Sequence, residues 1–129
     1  MSMTPPPFEP VIRTVAMPAD TNSSGDIFGG WLLAQMDMAA GSAAIRRARG
    51  RCATVALDAM AFLKPVFVGD EVSLYATVTK VGRTSIQVRV EAWRRSRADD
   101  LSERVTQALF TFVALDDARR PRPVPITTP

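Results

Sequence analysis

The sequence predicts an α+β fold in which one long buried helix is wrapped by a curled antiparallel sheet of about five strands. Three observations carry this expectation. Residues 27–48 form one stretch that is apolar or small except for a few positions and contains no proline. Four runs with strand character follow between residues 51 and 115. The connections between these runs are short, as in an antiparallel meander.

The 129 residues suffice for one domain and one core. Of the ten prolines, only Pro65 falls between residues 19 and 120. The expected organisation is a flexible Pro-rich arm at 1–10, a single domain at 11–118 and a basic Pro-rich tail at 119–129. A short first strand is expected at Val11–Ala16, and the turn formers PADTNSSG at 18–25 read as a loop. Asp26 is the expected helix N-cap. The helix then runs from about Ile27 to about Ala48, with Arg46, Arg47 and Arg49 facing the negative end of its dipole and Gly50 as the C′ residue. That is roughly 30 Å of helix, apolar almost all round, which a sheet must curl about or a second copy must cover.

Arg51–Leu63 is nearly continuous apolar sequence and reads as a central strand covered on both faces. Glu71–Lys80 alternates, with Val72, Leu74, Ala76 and Val78 on one face. After a turn at Val81-Gly82-Arg83 the pattern repeats at Ile86, Val88, Val90 and Ala92. Arg104–Leu115 closes the set before an Asp116-Asp117 turn. A sheet curled about an all-round apolar helix is the shape called the hot-dog fold, and it predicts a dimer.

Composition removes several classes of function. The net charge is +3 and there is one tyrosine. The basic residues are dispersed, without the aromatic interleaving that stacks bases, so nucleic acid is not an expected partner. An anionic small ligand fits the charge equally well. There is no histidine, which removes Ser-His-Asp and Cys-His arrangements and HExxH zinc sites. The single cysteine, Cys52, cannot form an internal disulfide; it reads as a small core residue, and no metal site is expected. The opening MSMTPPPFEP lacks the basic and apolar regions of a signal peptide. No apolar stretch reaches the ~20 residues that cross a bilayer, so a cytoplasmic protein without membrane insertion is expected.

Within GDIFGGWLLAQMDMAA, at 25–40, Asp37 is the sole charge between Trp31 and Ile45. A dry, unpaired carboxylate costs several kcal/mol or more, so it takes a partner, water or a proton. Asp37 is therefore a satisfied structural acid or the reagent. Its helix face carries Gly30, Leu33 and Ala34 on one side and Ala40, Gly41 and Ala44 on the other, a strip narrow enough for a thin chain. Gly29 and Gly30 fall in the first helical turn, whose N–H groups lack intrahelical acceptors. Such donors, or simply close helix packing, explain glycine there; as donors they stabilise a developing oxyanion. Asp58 is a second strand carboxylate and reads as structural.

The segments MPADTNSSGDIFGGWLLAQMDMAA, TVALDAMAFLKPVFVGD, VGRTSI and ALFTFVALD resemble the hot-dog acyl-CoA thioesterases, specifically the bacterial YciA-like branch, over about residues 13–116. The resemblance implies hydrolysis of acyl-CoA to a free acid and CoA, with no metal or organic cofactor. It makes Asp37 catalytic, as general base or as nucleophile. It has Thr54 positioning the water or Asp37, and the oxyanion donor that such a hydrolysis needs is the Gly30 N–H already read from the first helical turn. Asp26 then lines the thioester end of the site, beside Gly29 and Asn22, although Asn22 alone reads as a turn former. The CoA phosphates call for basic groups at the mouth, for which Arg83 with Thr84 and Ser85, and Lys64, are candidates. A homodimer is implied, with a trimer of dimers left open.

Three other readings remain: an acyl-CoA-binding or regulatory module without activity, a hydratase or dehydratase, and a structural dimerisation domain. The absent histidine counts against the second and the buried acid against the other two. Gly30 and Asp37 stand ~10 Å apart along one helix, beyond the 3–3.5 Å that reacting atoms need. The expectation is a site shared between two antiparallel helices of a dimer.

Overall fold

Alternating strand residues set the core. In the computed structural model, which describes residues 4–126, strand β1 (Ile12–Val15) and a single 3-10 turn (Pro18–Asp20) precede helix α1 (Gly29–Ala48). Strands β2 (Cys52–Phe62), β3 (Glu71–Val81), β4 (Ser85–Arg95) and β5 (Ser102–Ala114) follow. Val72 and Leu74 of β3, Ile86, Val88, Val90 and Ala92 of β4, and Phe110 and Phe112 of β5 turn one face of the sheet inward. Against them α1 packs Leu32, Met36, Ala39, Ala40, Ala44 and Ala48. The four alanines are fully buried; their small side chains let the helix lie close on the sheet.

The sheet has five strands in the order β1-β3-β4-β5-β2, all pairs antiparallel. The hot-dog architecture is as expected, but three details differ. Strands β3, β4 and β5 form the expected meander, whereas β2 lies at the far edge, paired to β5 with Thr54 opposite Phe112. The link from β2 to β3 therefore crosses the end of the sheet, held by Leu63 N–H donating to Val105 O (2.8 Å) and Ile27 N–H to Val66 O (3.3 Å). Strand β2 is not the covered central strand its composition predicted: Val55, Leu57, Phe62 and Leu63 are exposed. An apolar run looks the same in sequence whether its own sheet or something else covers it.

The helix likewise buries one face only. Met38 and Ile45 on its outer side are 54% and 48% exposed. Its ends are also set differently. Phe28, not Asp26, holds the N-cap position, and Arg49, not Gly50, takes the left-handed conformation, with φ 55°. Gly50 serves a close approach instead: a Cβ there would stand 2.6 Å from the Arg122 guanidinium. That guanidinium donates to Ala48 O (3.0 Å) and Leu115 O (2.9 Å), satisfying a carbonyl at the helix C-terminus.

Both terminal segments touch the body. Phe8 packs edge-on against Tyr75, and Val11 N–H donates to Leu74 O (2.8 Å). At the other end Val124 is buried and its N–H donates to Arg83 O (2.8 Å), while Arg47 donates to Pro125 O (2.7 Å). The 119–125 part of the expected tail is thus a strap across the end of the domain. The remainder, 127–129, lies outside the described residues.

Candidate active site

The loop before α1 is shaped by Asn22. Its Oδ1 accepts from the N–H groups of Ser24 (2.9 Å) and Asp26 (3.1 Å), and its own N–H donates to Asp26 O (2.7 Å). A bridge between Thr21 and Ile27 closes the loop. Asp26 is thereby held in the turn rather than at the helix cap. Phe28 N–H donates to Asp20 O (2.9 Å), and the chain enters the helix at Gly29.

The first helical N–H groups, those of Gly29 and Gly30, have no carbonyl one turn earlier to bond. Their surroundings differ. A Cβ on Gly29 would meet the Phe62 ring at 3.2 Å, whereas one on Gly30 would meet nothing within 4 Å. Packing therefore accounts for the first glycine and not for the second. Gly30 opens onto a groove of about 350 Å³ lined by Leu33, Ala34 and Asp37 of α1, Thr54 and Leu57 of β2, and Phe110 of β5.

Asp37 is half-buried in this groove, and Thr54 Oγ1 donates to its Oδ1 at 2.8 Å. The register of β2 on β5 sets this contact. The strip of small residues predicted on both sides of Asp37 exists only toward the helix N-terminus. Ala40 and Ala44 are wholly buried in the core, and a Cβ on Gly41 would touch the Phe112 ring at 3.7 Å. From Ala40 onward the same stripe faces the sheet.

A second cavity of about 230 Å³ flanks the helix start, lined among others by Gly29, Phe62 and Lys64. Of the residues singled out in the sequence, Gly30, Asp37 and Thr54 thus share one groove, and Gly29 and Lys64 the adjoining cavity. Arg83, Thr84 and Ser85 sit on the β3–β4 turn and line neither. Asp58 is exposed on the edge strand. Sequence reasoning passed over Phe62, Leu57 and Phe110, because an aromatic or leucine in an apolar strand carries no mark of which cavity it meets.

Cys52 is half-buried, with its Sγ near Gly50 O (3.7 Å). Burial pushes its thiol up from the ordinary cysteine value, partly opposed by the Arg122 charge, so it carries little thiolate near neutrality. Among the described residues no group of three or more His, Cys, Asp or Glu side chains stands close enough to hold a metal. No described helix is long and apolar enough to cross a membrane.

A curled antiparallel sheet holding one long helix defines the hot-dog architecture, here with a half-buried helix acid and bare N-terminal amides beside two cavities. Residues 24–99 match the family model of the thioesterase superfamily. The chain is 53% identical to an acyl-CoA thioester hydrolase of Zymomonas mobilis over 93% of its length and 80% of that protein. It is 48% identical to the acyl-CoA thioester hydrolase YciA of Salmonella typhimurium, over 94% of its length and 93% of that protein. A solved hexameric thioesterase from Yersinia pestis superposes with a TM-score of 0.89 at 50% identity, covering 95% of this chain and 99% of that one. The chain belongs to the thioesterase superfamily, in its YciA-like acyl-CoA thioester hydrolase branch.

The Thr54 contact yields a direct expectation. A hydrogen bond to a charged group contributes about 1.5–3 kcal/mol, so Thr54→Val lowers kcat for thioester hydrolysis by roughly 10–100-fold. Thr54→Ser, which keeps the hydroxyl, retains most of the rate. Steady-state kinetics on all three proteins check this, and an unchanged kcat in the valine variant reduces the bond to a structural one.

Proposed function

We propose that this protein hydrolyses acyl-CoA to a free acid and CoA, with Asp37 as the general base. One observation carries the reading. The carboxylate of Asp37 is held by the Thr54 hydroxyl through Oδ1, in a groove that begins at the first free amides of the helix. Oδ2 then accepts a proton from water as its oxygen attacks the thioester carbon. The carbonyl oxygen becomes an oxyanion on the Gly30 N–H, favoured by the helix dipole. Collapse of the tetrahedral intermediate breaks the C–S bond and releases CoA as thiolate. A cysteine thiol has a pKa of about 8.5, and a thiolate of this class departs without the acid catalyst that a histidine would supply; Asp37 then gives its proton up to solvent, which restores the base. Carboxylate, amide and water suffice, and the reading includes no metal or organic cofactor. A cytoplasmic setting goes with it.

The same geometry supports a homodimer. Among the described residues strand β2 pairs with β5 alone and leaves its other edge open, with Val55, Leu57 and Phe62 exposed along it. A long apolar edge of this kind is a template for another strand. Antiparallel pairing of two β2 edges about a twofold covers these residues and lays the two helices side by side in opposite directions. Gly30 of one helix then approaches Asp37 of the other, which removes the ~10 Å separation along a single helix. The Yersinia relative is a hexamer, and a trimer of such dimers is the corresponding assembly here.

For the CoA phosphates the reading assigns Lys64 and the Arg83-Thr84-Ser85 turn. Backbone bonds from Val124 N–H to Arg83 O and Ala114 N–H to Thr84 O (2.8 and 2.9 Å) hold that turn in place. Asn22 and Asp26 shape the loop at the thioester end.

Three experiments test these statements. Thiol release from acetyl- to palmitoyl-CoA is expected for the wild type, and Asp37→Asn is expected to lose about 10²–10⁴-fold in kcat while staying folded. A folded Asp37→Asn keeping more than about a third of the rate would remove Asp37 from that role, and a wild type inert on every substrate leaves only a binding module. For the shared site, Gly30→Pro removes the N–H at a first-turn position with open space around it, and Asp37→Ala removes the base. Each homodimer is expected to be inactive, and a co-refolded heterodimer of the two to regain one intact site. Verified heterodimers that stay at background place the site within one chain. For the mouth, Arg83→Ala is expected to raise KM for CoA thioesters with kcat kept, and to leave pantetheine thioesters unaffected. An equal loss on both substrate types places Arg83 away from the phosphates.

A further inference from the structure

The basic residues are dispersed along the chain, but the fold collects more than half of them. Arg46, Arg47 and Arg49 close α1, and Arg51 precedes β2. Lys80 and Arg83 flank the β3–β4 turn, and Arg119, Arg120 and Arg122 lie on the C-terminal strap. Antiparallel pairing brings these segments to one end of the sheet, with Cys52 opposite Ala114, Ser85 opposite Val113 and Val81 opposite Ile86. The strap ties them together, through Arg122 to Ala48 O, Arg47 to Pro125 O and Val124 N–H to Arg83 O. Among the described residues only Asp116 and Asp117 are acids on these segments. Nine cations against two acids give this end a charge of +7, leaving −4 for the rest of the +3 chain.

The charge at this end is not neutralised within the molecule. None of the nine cations forms an ion pair with a described residue, whereas at the opposite end Arg94 and Arg95 pair with Asp70, Glu71 and Glu103. Seven of the nine are exposed, so their field extends into solution. Concentrated like charges repel one another and disfavour the compact state, which an approaching polyanion relieves. We infer that this end is an electrostatic collector for CoA thioesters, and that cations which do not touch the substrate make the enzyme prefer CoA thioesters to uncharged ones. The inference rests on the acyl-CoA hydrolase reading and gives a task to Arg46, Arg119 and Arg120, which that reading leaves without one.

Position and chemistry favour a small polyanion that acts through the field. None of the nine lines the groove or the cavity at the helix start, so attraction and not contact is what most of them can offer. Among the described residues no exposed aromatic ring stands on these segments, which leaves nucleic-acid bases nothing to stack on. The helix runs ~16 Å from Asp37 to its C-terminus, a span that suits the pantetheine arm between thioester and diphosphate. With a 3′-phosphate and a diphosphate, CoA carries about −4 near neutrality. In water, one unit charge ~10 Å from such an anion changes its affinity about five- to tenfold at 0.01 M salt, about twofold at 0.15 M and not measurably at 1 M.

The test is kcat/KM for hexanoyl-CoA and for hexanoyl-pantetheine from 0.01 to 1 M NaCl, with the Kd of CoA itself measured over the same range. Three proteins are compared: wild type, the combined Arg46→Gln/Arg119→Gln/Arg120→Gln variant, and Arg97→Gln, which removes an exposed cation from the opposite end. The combined variant is expected to lose at least tenfold in kcat/KM for the CoA thioester at 0.01 M salt and less than twofold at 1 M, with kcat kept. Its salt dependence is shallower than that of wild type, and Arg97→Gln follows wild type. The pantetheine thioester is expected to respond neither to salt nor to the substitutions. Equal salt slopes for wild type and the combined variant overturn the inference and leave the field to the contact residues alone. So does a pantetheine thioester that loses as much as the CoA thioester, because the substitutions then act through the fold. A wild type that releases no thiol overturns the hydrolase reading, and the Kd of CoA decides the collector separately: a value that does not rise with salt, or does not rise in the combined variant at low salt, overturns it too.

Discussion

Close packing of α1 on the sheet is the constraint on which the rest of the molecule depends. Ala39, Ala40, Ala44 and Ala48 are buried without remainder, so the helix lies on the strands at the distance that methyl groups permit. That distance puts Asp37 within hydrogen-bonding reach of Thr54 on β2. It also lets Gly29 touch Phe62 at the other end of the same strand. Larger side chains along the alanine stripe would lift the helix and break both contacts together. Site geometry and core packing are one arrangement here.

Both ends of the helix are secured by other parts of the chain. Before it, Asn22 folds the loop so that the amides of Gly29 and Gly30 lead the first turn. After it, Arg122 reaches from the C-terminal strap to Ala48 O, compensating a carbonyl that the helix cannot satisfy itself. The strap then passes to Arg83 O through Val124. The turn assigned to the CoA phosphates and the helix carrying the proposed base are thereby tied to the same segment.

The chemistry proposed for the groove needs little. A thioester is already activated and its leaving group is a stable anion, so the proposed chemistry asks only for a base within reach of water at the thioester carbon. The proposed mechanism gives that task to Asp37. It is half-buried in the groove, with its Oδ1 accepting from the Thr54 hydroxyl.

The sequence by itself determined the helix, its sole acid, the paired glycines at its start and the alternating strands β3, β4 and β5. Each of these is written in local chemistry: a charge in an apolar run, a bare Cα at an unsatisfied amide, a period of two. Tertiary structure decided where β2 goes, and much follows from that. Arg51–Leu63 reads as a covered central strand because an apolar run has the same composition whether its own sheet covers it or it lies exposed at an edge. Thr54 was marked by family resemblance, but its contact with Asp37 depends on the β2–β5 register, which no local pattern encodes. Asp26 was expected to cap the helix as a good N-cap residue, yet Asn22 captured its backbone first. Phe62 carried no signal at all, since its contact with Gly29 joins residues far apart in the chain. Local sequence specifies what each segment can pair with, and only the closed fold, where every segment competes for the same space, decides which pairing is made.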